Sequence, residues 1–247
     1  MSNPYQFYLK HINTQTGFRA TWDPGRPLKI GQIGKLDGSG VFTVYSSLEN
    51  EGIAVEINPP ASPGELDYTS HESVSIEAKL SGKAPAAGSA FSKADAGFSF
   101  VFKDEDSIVF QASGCRTFQI INTAKIEEAV LKKYYRGNWE KDWLVIAQLI
   151  EAESATILIS NSSNTILELK ANAKVNAAIS LTDASLKLAV AREQGSVLKY
   201  ITQAGITPLY RLMGVRDPLI GNARFVTKGA LDEDKFLFRD FKETELI

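Results

Sequence analysis

The sequence predicts an α+β fold, in which a twisted, mostly antiparallel β-sheet carries a few flanking helices. Short segments alternate apolar and polar residues with a period of two, which indicates strands with one buried face. Turn formers such as Asp37-Gly38-Ser39-Gly40 separate neighbouring segments and predict hairpins. Apolar residues with helical spacing are confined to two stretches, one near the N-terminus and one over 122–136.

Length and composition limit the classes of protein that this sequence fits. The 247 residues carry 27 Lys and Arg against 29 Asp and Glu, and the net charge of −2 gives no indication of nucleic-acid binding. A single cysteine, Cys115, excludes a disulfide framework and leads us to expect a reducing compartment. We expect neither a signal peptide nor a transmembrane helix, since no run reaches ~18 consecutive apolar residues.

The first quarter of the chain is expected to form one helix and several strands. Asn3-Pro4 can start a helix. Its apolar residues share one face: Tyr5, Tyr8, Leu9 and Ile12. Strands are expected over three ranges, 28–33, 41–46 and 53–57. Gly31 and Gly34 indicate a bulge or a turn, and the proline-rich run 58–64 indicates a surface loop.

The longest alternation lies in the segment 165–192. Its apolar positions are Leu167, Leu169, Ala171, Ala173, Val175, Ala177, Ile179 and Leu181, followed after Asp183 by Leu186, Leu188 and Val190. Ordinary strands run ~5–6 residues, whereas a strand that crosses a membrane needs roughly 9–11 residues. Taken alone, the segment favours a long surface hairpin, and a transmembrane hairpin is the alternative.

A second alternating pair occupies the segment 73–103. Its apolar positions are Val74, Ile76, Ala78 and Leu80, and then Phe98, Phe100 and Phe102. Small residues over 81–90 join the two halves, and a disordered surface loop is the simplest interpretation of them. One amphipathic hairpin is common, but two that flank a helix favour the membrane interpretation of both.

The helix between the two pairs is predicted to run from Asn122 or Thr123 to Arg136, with Gly137 as its stop. It carries four cations: Lys125, Lys132, Lys133 and Arg136. Cations near a helix C-terminus suit the helix dipole, and a binding site for lipid headgroups is the alternative. Further strands are expected over 107–111, 142–150, 156–160, 197–203 and 208–213.

No catalytic or metal-binding constellation stands out in the sequence. The two histidines, His11 and His71, are far apart and lack metal-ligand spacing. Cys115 has no histidine close to it in sequence, and a buried thiol is its expected role. We therefore expect no enzyme activity, no cofactor and no metal.

The order of these elements resembles the pore-forming domain of the gasdermin family. The resemblance extends over about 28–213, and the segment 142–159 is the most similar to the family. We expect a pore-forming domain over 1–214 and a short tail over 215–247, which resembles the microbial members, fungal or bacterial, that lack a large C-terminal repressor domain. The lipidated cysteine of the bacterial members, near their N-terminus, has no counterpart here.

The resemblance implies a function and a set of partners. Gasdermins bind acidic lipids, oligomerise, and refold two regions per subunit into the transmembrane β-hairpins of a ring pore, which causes cell death. Carried over, the inserting regions are 73–103 and 165–192, and the lipid contacts fall on Lys10, Arg19, Lys125, Lys132, Lys133 and Arg136. Region 165–192 is then expected to form shorter, bent or partly disordered strands in the soluble protein and to straighten only in the ring.

Expected partners are an acidic phospholipid membrane, further copies of the chain, and either a variant partner protein or an activating protease. The expected location is the cytoplasm before activation and the plasma membrane afterwards. A soluble β-rich binding or scaffold protein without membrane activity is the alternative.

Overall fold

The computed structural model describes residues 4–22, 27–38, 40–70, 72–172, 175, 178–216 and 222–227. Within these residues there are two α-helices, α1 (Pro4–Thr16) and α2 (Thr123–Tyr135). The strands, in chain order, are β1 (Arg19–Ala20), β2 (Gln32–Leu36), β3 (Phe42–Ser47), β4 (Gly64–Thr69), β5 (Val74–Lys79), β6 (Gly97–Phe102), β7 (Ile108–Gln119), β8 (Leu144–Ser160), β9 (Thr165–Lys170), β10 (Ala189–Gln194), β11 (Val197–Arg216) and β12 (Arg224–Thr227). Antiparallel pairing between these strands and the two helices confirm the predicted α+β class.

The chain divides into two compact units. The first comprises Met1–Tyr8, Pro63–Cys115 and Ala152–Ile206, and the second comprises Leu9–Ser62, Arg116–Glu151 and Thr207–Ile247. The segment predicted as a tail, 215–247, begins inside β11 and includes β12.

The second unit contains β1, β2, β3 and β12 with parts of β8 and β11, and the strand order is β1-β11-β8-β2-β3, with β12 beside β11. Ile33 and Val145 are fully buried and form one core cluster with Ile126 and Val130 of α2. The bulge expected at Gly31 or Gly34 is confirmed, because the register between β2 and β3 shifts between Ile33 and Gly34. A Cβ on Gly34 would lie 2.1 Å from the carbonyl oxygen of Thr43, so only glycine fits there.

Helix α2 begins and ends where the sequence predicts. Asn122 occupies the N-cap, but its side chain does not cap the helix. Instead the amide accepts a hydrogen bond from the backbone N–H of Glu56 at 3.0 Å and donates one to the carbonyl of Ala54 at 2.9 Å. Arg136 is the C-cap, and Gly137 follows it with φ +74°, as expected for a helix stop.

Several strand predictions need correction. The range 53–57 is not a strand: Ile53 packs in the core and Ile57 forms one isolated bridge with Ile120. Strand β2 lies at Gln32–Leu36 rather than over 28–33. Strands β8 and β11 each run without interruption through a predicted break. Strand β8 lies between neighbouring strands and is buried on both faces over most of its length, apart from exposed Glu151 and Glu153, and such a strand alternates little.

The first unit contains a four-stranded sheet in the order β10-β9-β6-β5, and β4 pairs with β7, which pairs with β8. Strand β4 was not expected from the sequence, because it follows directly on the proline-rich loop. Its residues do alternate in exposure, with Leu66 and Tyr68 half-buried between exposed Glu65 and Asp67. The four-stranded sheet contains both segments in which the sequence shows amphipathic alternation.

Candidate functional site

The two predicted insertion regions form neighbouring hairpins in one sheet of the first unit. Strand β5 pairs with β6, and β9 pairs with β10, in both cases antiparallel. The two hairpins are hydrogen-bonded to each other because β6 pairs with β9 in antiparallel orientation, with Phe98 opposite Leu169 and Phe100 opposite Leu167. We call the chain between β5 and β6, 80–96, the first connection, and the chain between β9 and β10, 171–188, the second connection.

The predicted lipid-facing residues form the core of the first unit in this structure. Phe98, Phe100 and Phe102 are at most 4% exposed, and the rings of Phe100 and Phe102 stack with their centroids 6.1 Å apart. Further buried members of this cluster are Val74, Leu167, Leu169, Ala171, Leu181, Leu186 and Leu188. Burial of a large apolar side chain stabilises a fold by ~1.5–3 kcal/mol, so this face contributes much of the stability of the first unit.

Other predicted lipid-facing residues are only partly covered. Ile76, Val175 and Ile179 pack against the cluster while partly buried, and Leu80 is half-buried. Ala78 is exposed, and Val190 is 45% exposed on the edge strand β10. Ala173 and Ala177 lie outside the described residues.

The alternation of 165–192 is longer than the strand that it forms. Strand β9 ends at Lys170, although apolar and polar residues continue to alternate as far as Leu181. Lys170 lies opposite Gly97 and Ala189, the first residues of β6 and β10, so β9 ends where its two neighbouring strands begin. In this structure the segment therefore forms a strand that is shorter than its alternation.

The second connection is attached to the first unit by polar as well as apolar contacts. The buried hydroxyl of Thr156, on β8, donates a hydrogen bond to the carbonyl of Leu181 at 2.7 Å. The backbone N–H of Asn172 donates to the carbonyl of Leu186 at 2.9 Å. Asp183, predicted as a turn former, accepts the N–H of Ser185 at 2.9 Å and starts a short 3₁₀ turn.

The first connection lies on the polar side of the sheet and is held there. Ala90 donates its backbone N–H to the carboxylate of Glu168 at 2.7 Å, and the guanidinium of Arg192 donates to the carbonyl of Gly88. The ammonium of Lys170 lies 2.6 Å from the carboxylate of Asp95. Hydrogen bonds from Lys170 and from the N–H and hydroxyl of Ser92 lower the pKa of Asp95 to about 2.

The sequence interpretation missed this attachment, because it took the small residues of 81–90 as a disordered loop. Phe91 is the signal that could have found it. It is the only aromatic residue between Tyr68 and Phe98, it is 6% exposed, and the ammonium of Lys79 lies 5.9 Å from its ring centre. An aromatic side chain has a large apolar surface to bury, so one among small residues indicates that the segment packs against the protein.

The basic residues of α2 separate into two groups. Lys125, Lys132 and Arg136 are exposed, and their spacing of seven and then four residues places them along one side of the helix. Lys125 also lies 3.0 Å from Glu56, in an ion pair whose members are both exposed. Lys133 points elsewhere: its ammonium lies 3.0 Å from Glu51, and this contact lowers the pKa of that carboxyl.

The other two predicted lipid contacts differ in exposure. Lys10 is exposed on α1. Arg19 is 7% exposed on β1, opposite Tyr210, so its side chain does not lie on the surface where a headgroup would bind. The end of α1 is held instead by Arg211, whose Nε donates to the carbonyl of Gly17 at 2.9 Å and whose guanidinium lies 4.1 Å from the ring of Phe18.

The described ranges contain neither a candidate metal site nor a membrane-spanning helix. No group of three or more His, Cys, Asp or Glu residues there is placed to hold a metal ion. Within the part of the chain that the structure describes, no helix is both long enough and apolar enough to span a membrane. Cys115 is half-buried, and desolvation raises the pKa of its thiol to about 11.

Comparison with known proteins gives structural similarities and no sequence match. No protein-family model matches the chain, and no curated protein matches it. The cryo-EM structure of the gasdermin A3 membrane pore is 9% identical over 90% of this chain and 93% of that chain, with a TM-score of 0.37. A bacterial gasdermin from Bradyrhizobium tropiciagri is 14% identical over 91% of each chain, with a TM-score of 0.38.

Proposed function

We propose that this protein is a pore-forming cell-death effector that binds acidic membranes, oligomerises and inserts two β-hairpins per subunit. The observation that supports the proposal is the four-stranded sheet, which unites the two amphipathic regions as adjacent hairpins. Each of its strands is six residues long, shorter than the roughly 9–11 residues that cross a bilayer. The connections on both hairpins supply the residues by which the strands lengthen.

Insertion of these hairpins requires neighbouring copies of the chain. Strands β5 and β10 are the edges of the four-stranded sheet. In hydrocarbon, each unpaired backbone group at such an edge costs several kcal/mol. A copy on either side satisfies those groups, so a ring of subunits is the assembly in which the hairpins are stable.

Helix α2 provides the proposed surface for acidic phospholipid. Lys125, Lys132 and Arg136 line one side of it, and Tyr135 beside them is 64% exposed. A cation near an anionic membrane surface contributes about 1 kcal/mol of attraction, and an exposed tyrosine suits the headgroup layer. Lys10 is a further exposed cation, whereas Lys133 and Arg19 contribute less while they stay in the contacts described above.

Before activation the proposed location is the cytoplasm, and afterwards it is the plasma membrane. Either a variant partner protein or a protease that acts on the tail, 215–247, is the proposed trigger. No enzymatic step is part of this proposal.

The proposal is tested by dye release from vesicles. Full-length protein and a variant that ends at Thr227 are added to phosphatidylserine-containing vesicles and to phosphatidylcholine vesicles, and the membranes are imaged by electron microscopy. We expect release and ring assemblies on the acidic vesicles, from one or both proteins. If neither protein releases dye or forms rings, alone or with a variant partner, the protein is not a pore former. That result would favour the alternative, a soluble β-rich binding or scaffold protein.

A further inference from the structure

The first connection is held on the sheet by side chains of the other hairpin. Glu168 and Lys170 belong to β9 and Arg192 belongs to β10, yet they contact Ala90, Asp95 and Gly88 of the first connection. Glu168 and Ala90 are 78 residues apart in sequence. The residues that would lengthen β5 and β6 are therefore restrained by the strands of the second insertion region.

Glu168 is the most buried of the three side chains that hold the first connection. The pairing register places Glu77, Ser99, Glu168 and Arg192 in one row across the polar side of the sheet. Glu77, at the edge of this row, is exposed, whereas Glu168 is 3% exposed because the first connection covers it. A buried carboxylate needs hydrogen-bond donors, and the N–H of Ala90 supplies one at 2.7 Å.

The restraint also acts in the opposite direction. The backbone N–H of Ser81, at the start of the first connection, donates to the carbonyl of Val175 at 3.0 Å. The hydroxyl of Ser81 accepts the N–H of Val175 at 3.1 Å. Each connection therefore bonds to the hairpin that it does not belong to.

We infer that Glu168 and Arg192 form a clasp on Gly88–Ala90 that makes the release of the two connections interdependent. The first hairpin cannot lengthen until residues 80–96 leave the polar side of the sheet, and the groups that hold them there move with the second hairpin. The second hairpin cannot straighten past Lys170 while Val175 is bonded to Ser81. The consequence of the clasp for pore formation rests on the proposed function, but the clasp itself is a property of the isolated chain.

Amide hydrogen exchange of the full-length protein without membrane tests the clasp. Glu168→Ala removes the acceptor of the Ala90 N–H, Glu168→Gln keeps an acceptor oxygen, and Glu77→Ala removes an exposed carboxylate from the same row as the matched control. We expect Glu168→Ala to speed exchange over 86–96 roughly tenfold or more and to speed exchange over 178–188 as well. Glu168→Gln should have a smaller effect, and Glu77→Ala should match the wild type.

Two results would overturn the inference. Unchanged exchange over 86–96 in Glu168→Ala would show that there is no clasp, and faster exchange over 86–96 alone would show that the connections open independently. If Glu168→Ala does not fold, Arg192→Gln, at a half-exposed position, replaces it with the same expectations. Dye release is measured in parallel with the full-length protein and with the variant that ends at Thr227. If neither protein releases dye, alone or with a variant partner, the proposed function fails, while the exchange data still decide the clasp.

Discussion

Val190 and Val101 provide a matched pair of positions for testing which side of the sheet faces lipid. Both are valines of the four-stranded sheet. Val190, on β10, is 45% exposed, and Val101, on β6, is 39% exposed. Val190 lies opposite Leu169, on the side of the buried phenylalanines, whereas Val101 lies opposite Ser75 and Ile166 on the other side. The proposed function therefore assigns Val190 to lipid and Val101 to the water-filled pore.

The expected effects of Val190→Lys and Val101→Lys differ only in the membrane. In this structure both positions are exposed, and a surface substitution changes stability by no more than about 0.5 kcal/mol. A lysine on the lipid face of a transmembrane strand costs ~2–4 kcal/mol near the bilayer midplane. That cost lowers the insertion equilibrium about 30- to 1,000-fold per subunit, whereas a lysine that faces water carries no such cost.

The assay is dye release from phosphatidylserine-containing vesicles, with thermal unfolding of both variants as the check on folding. We expect Val190→Lys to be nearly inactive, and Val101→Lys to release dye at about the wild-type rate, since its cost lies below the ~0.5 kcal/mol of a surface change. The reverse pattern would show that the assignment of the two sides is wrong. Wild-type release from both variants would show that this sheet does not enter the bilayer.

Three further predictions concern the contacts around the site. The double variant Lys132→Glu with Arg136→Glu should weaken binding to acidic vesicles, measured by co-sedimentation, by a few kcal/mol in total. Each cation removed costs about 1 kcal/mol of binding free energy, and each anion added costs as much again. Lys133→Gln should instead mainly lower the melting temperature, because it breaks the contact with Glu51. Thr156→Val should lower the free energy of unfolding by about 1–3 kcal/mol in denaturant titrations, since the buried carbonyl of Leu181 loses its donor. The pKa of Asp95 is lowered from 3.8 to about 2. Its stabilising contact with Lys170 is therefore fully present above pH 3.8 and is lost as the pH falls through 2. Asp95→Asn should remove the decrease in melting temperature that the wild type shows over this pH range because of Asp95.

The hairpins could be predicted from sequence because each buries one side only. In β6 and β9, the phenylalanines and leucines at alternate positions are buried, and the residues between them face the other way. Strand β8 gave a weaker signal, since Glu151 and Glu153 interrupt a run of apolar residues that is buried on both sides. Strand β12 was missed because it lies in the segment 215–247, which was expected to be a short tail.

The contacts that hold the connections could not be predicted from local pattern. Glu168 has the position of a solvent-facing residue in the alternation, and only the path of a distant segment encloses it. The same holds for Arg19, which the sequence assigned to a basic surface and which the pairing of β1 with β11 buries. In both cases a partner far away in sequence decides the environment of the side chain, and periodicity contains no information about such partners.

If the proposed function holds, the balance between this structure and an inserted one depends mainly on polar contacts. Moving Phe98 or Phe100 from a protein core into hydrocarbon loses little hydrophobic free energy, because lipid tails are as apolar as the core. What the hairpins lose on release is specific packing and the hydrogen bonds to Glu168 and from Thr156. What they gain is strand pairing with neighbouring copies, which exists only after assembly. On the proposed function, a small number of such hydrogen bonds, each with a net value of about 0.5–3 kcal/mol, therefore contributes to the barrier that keeps the hairpins on the sheet.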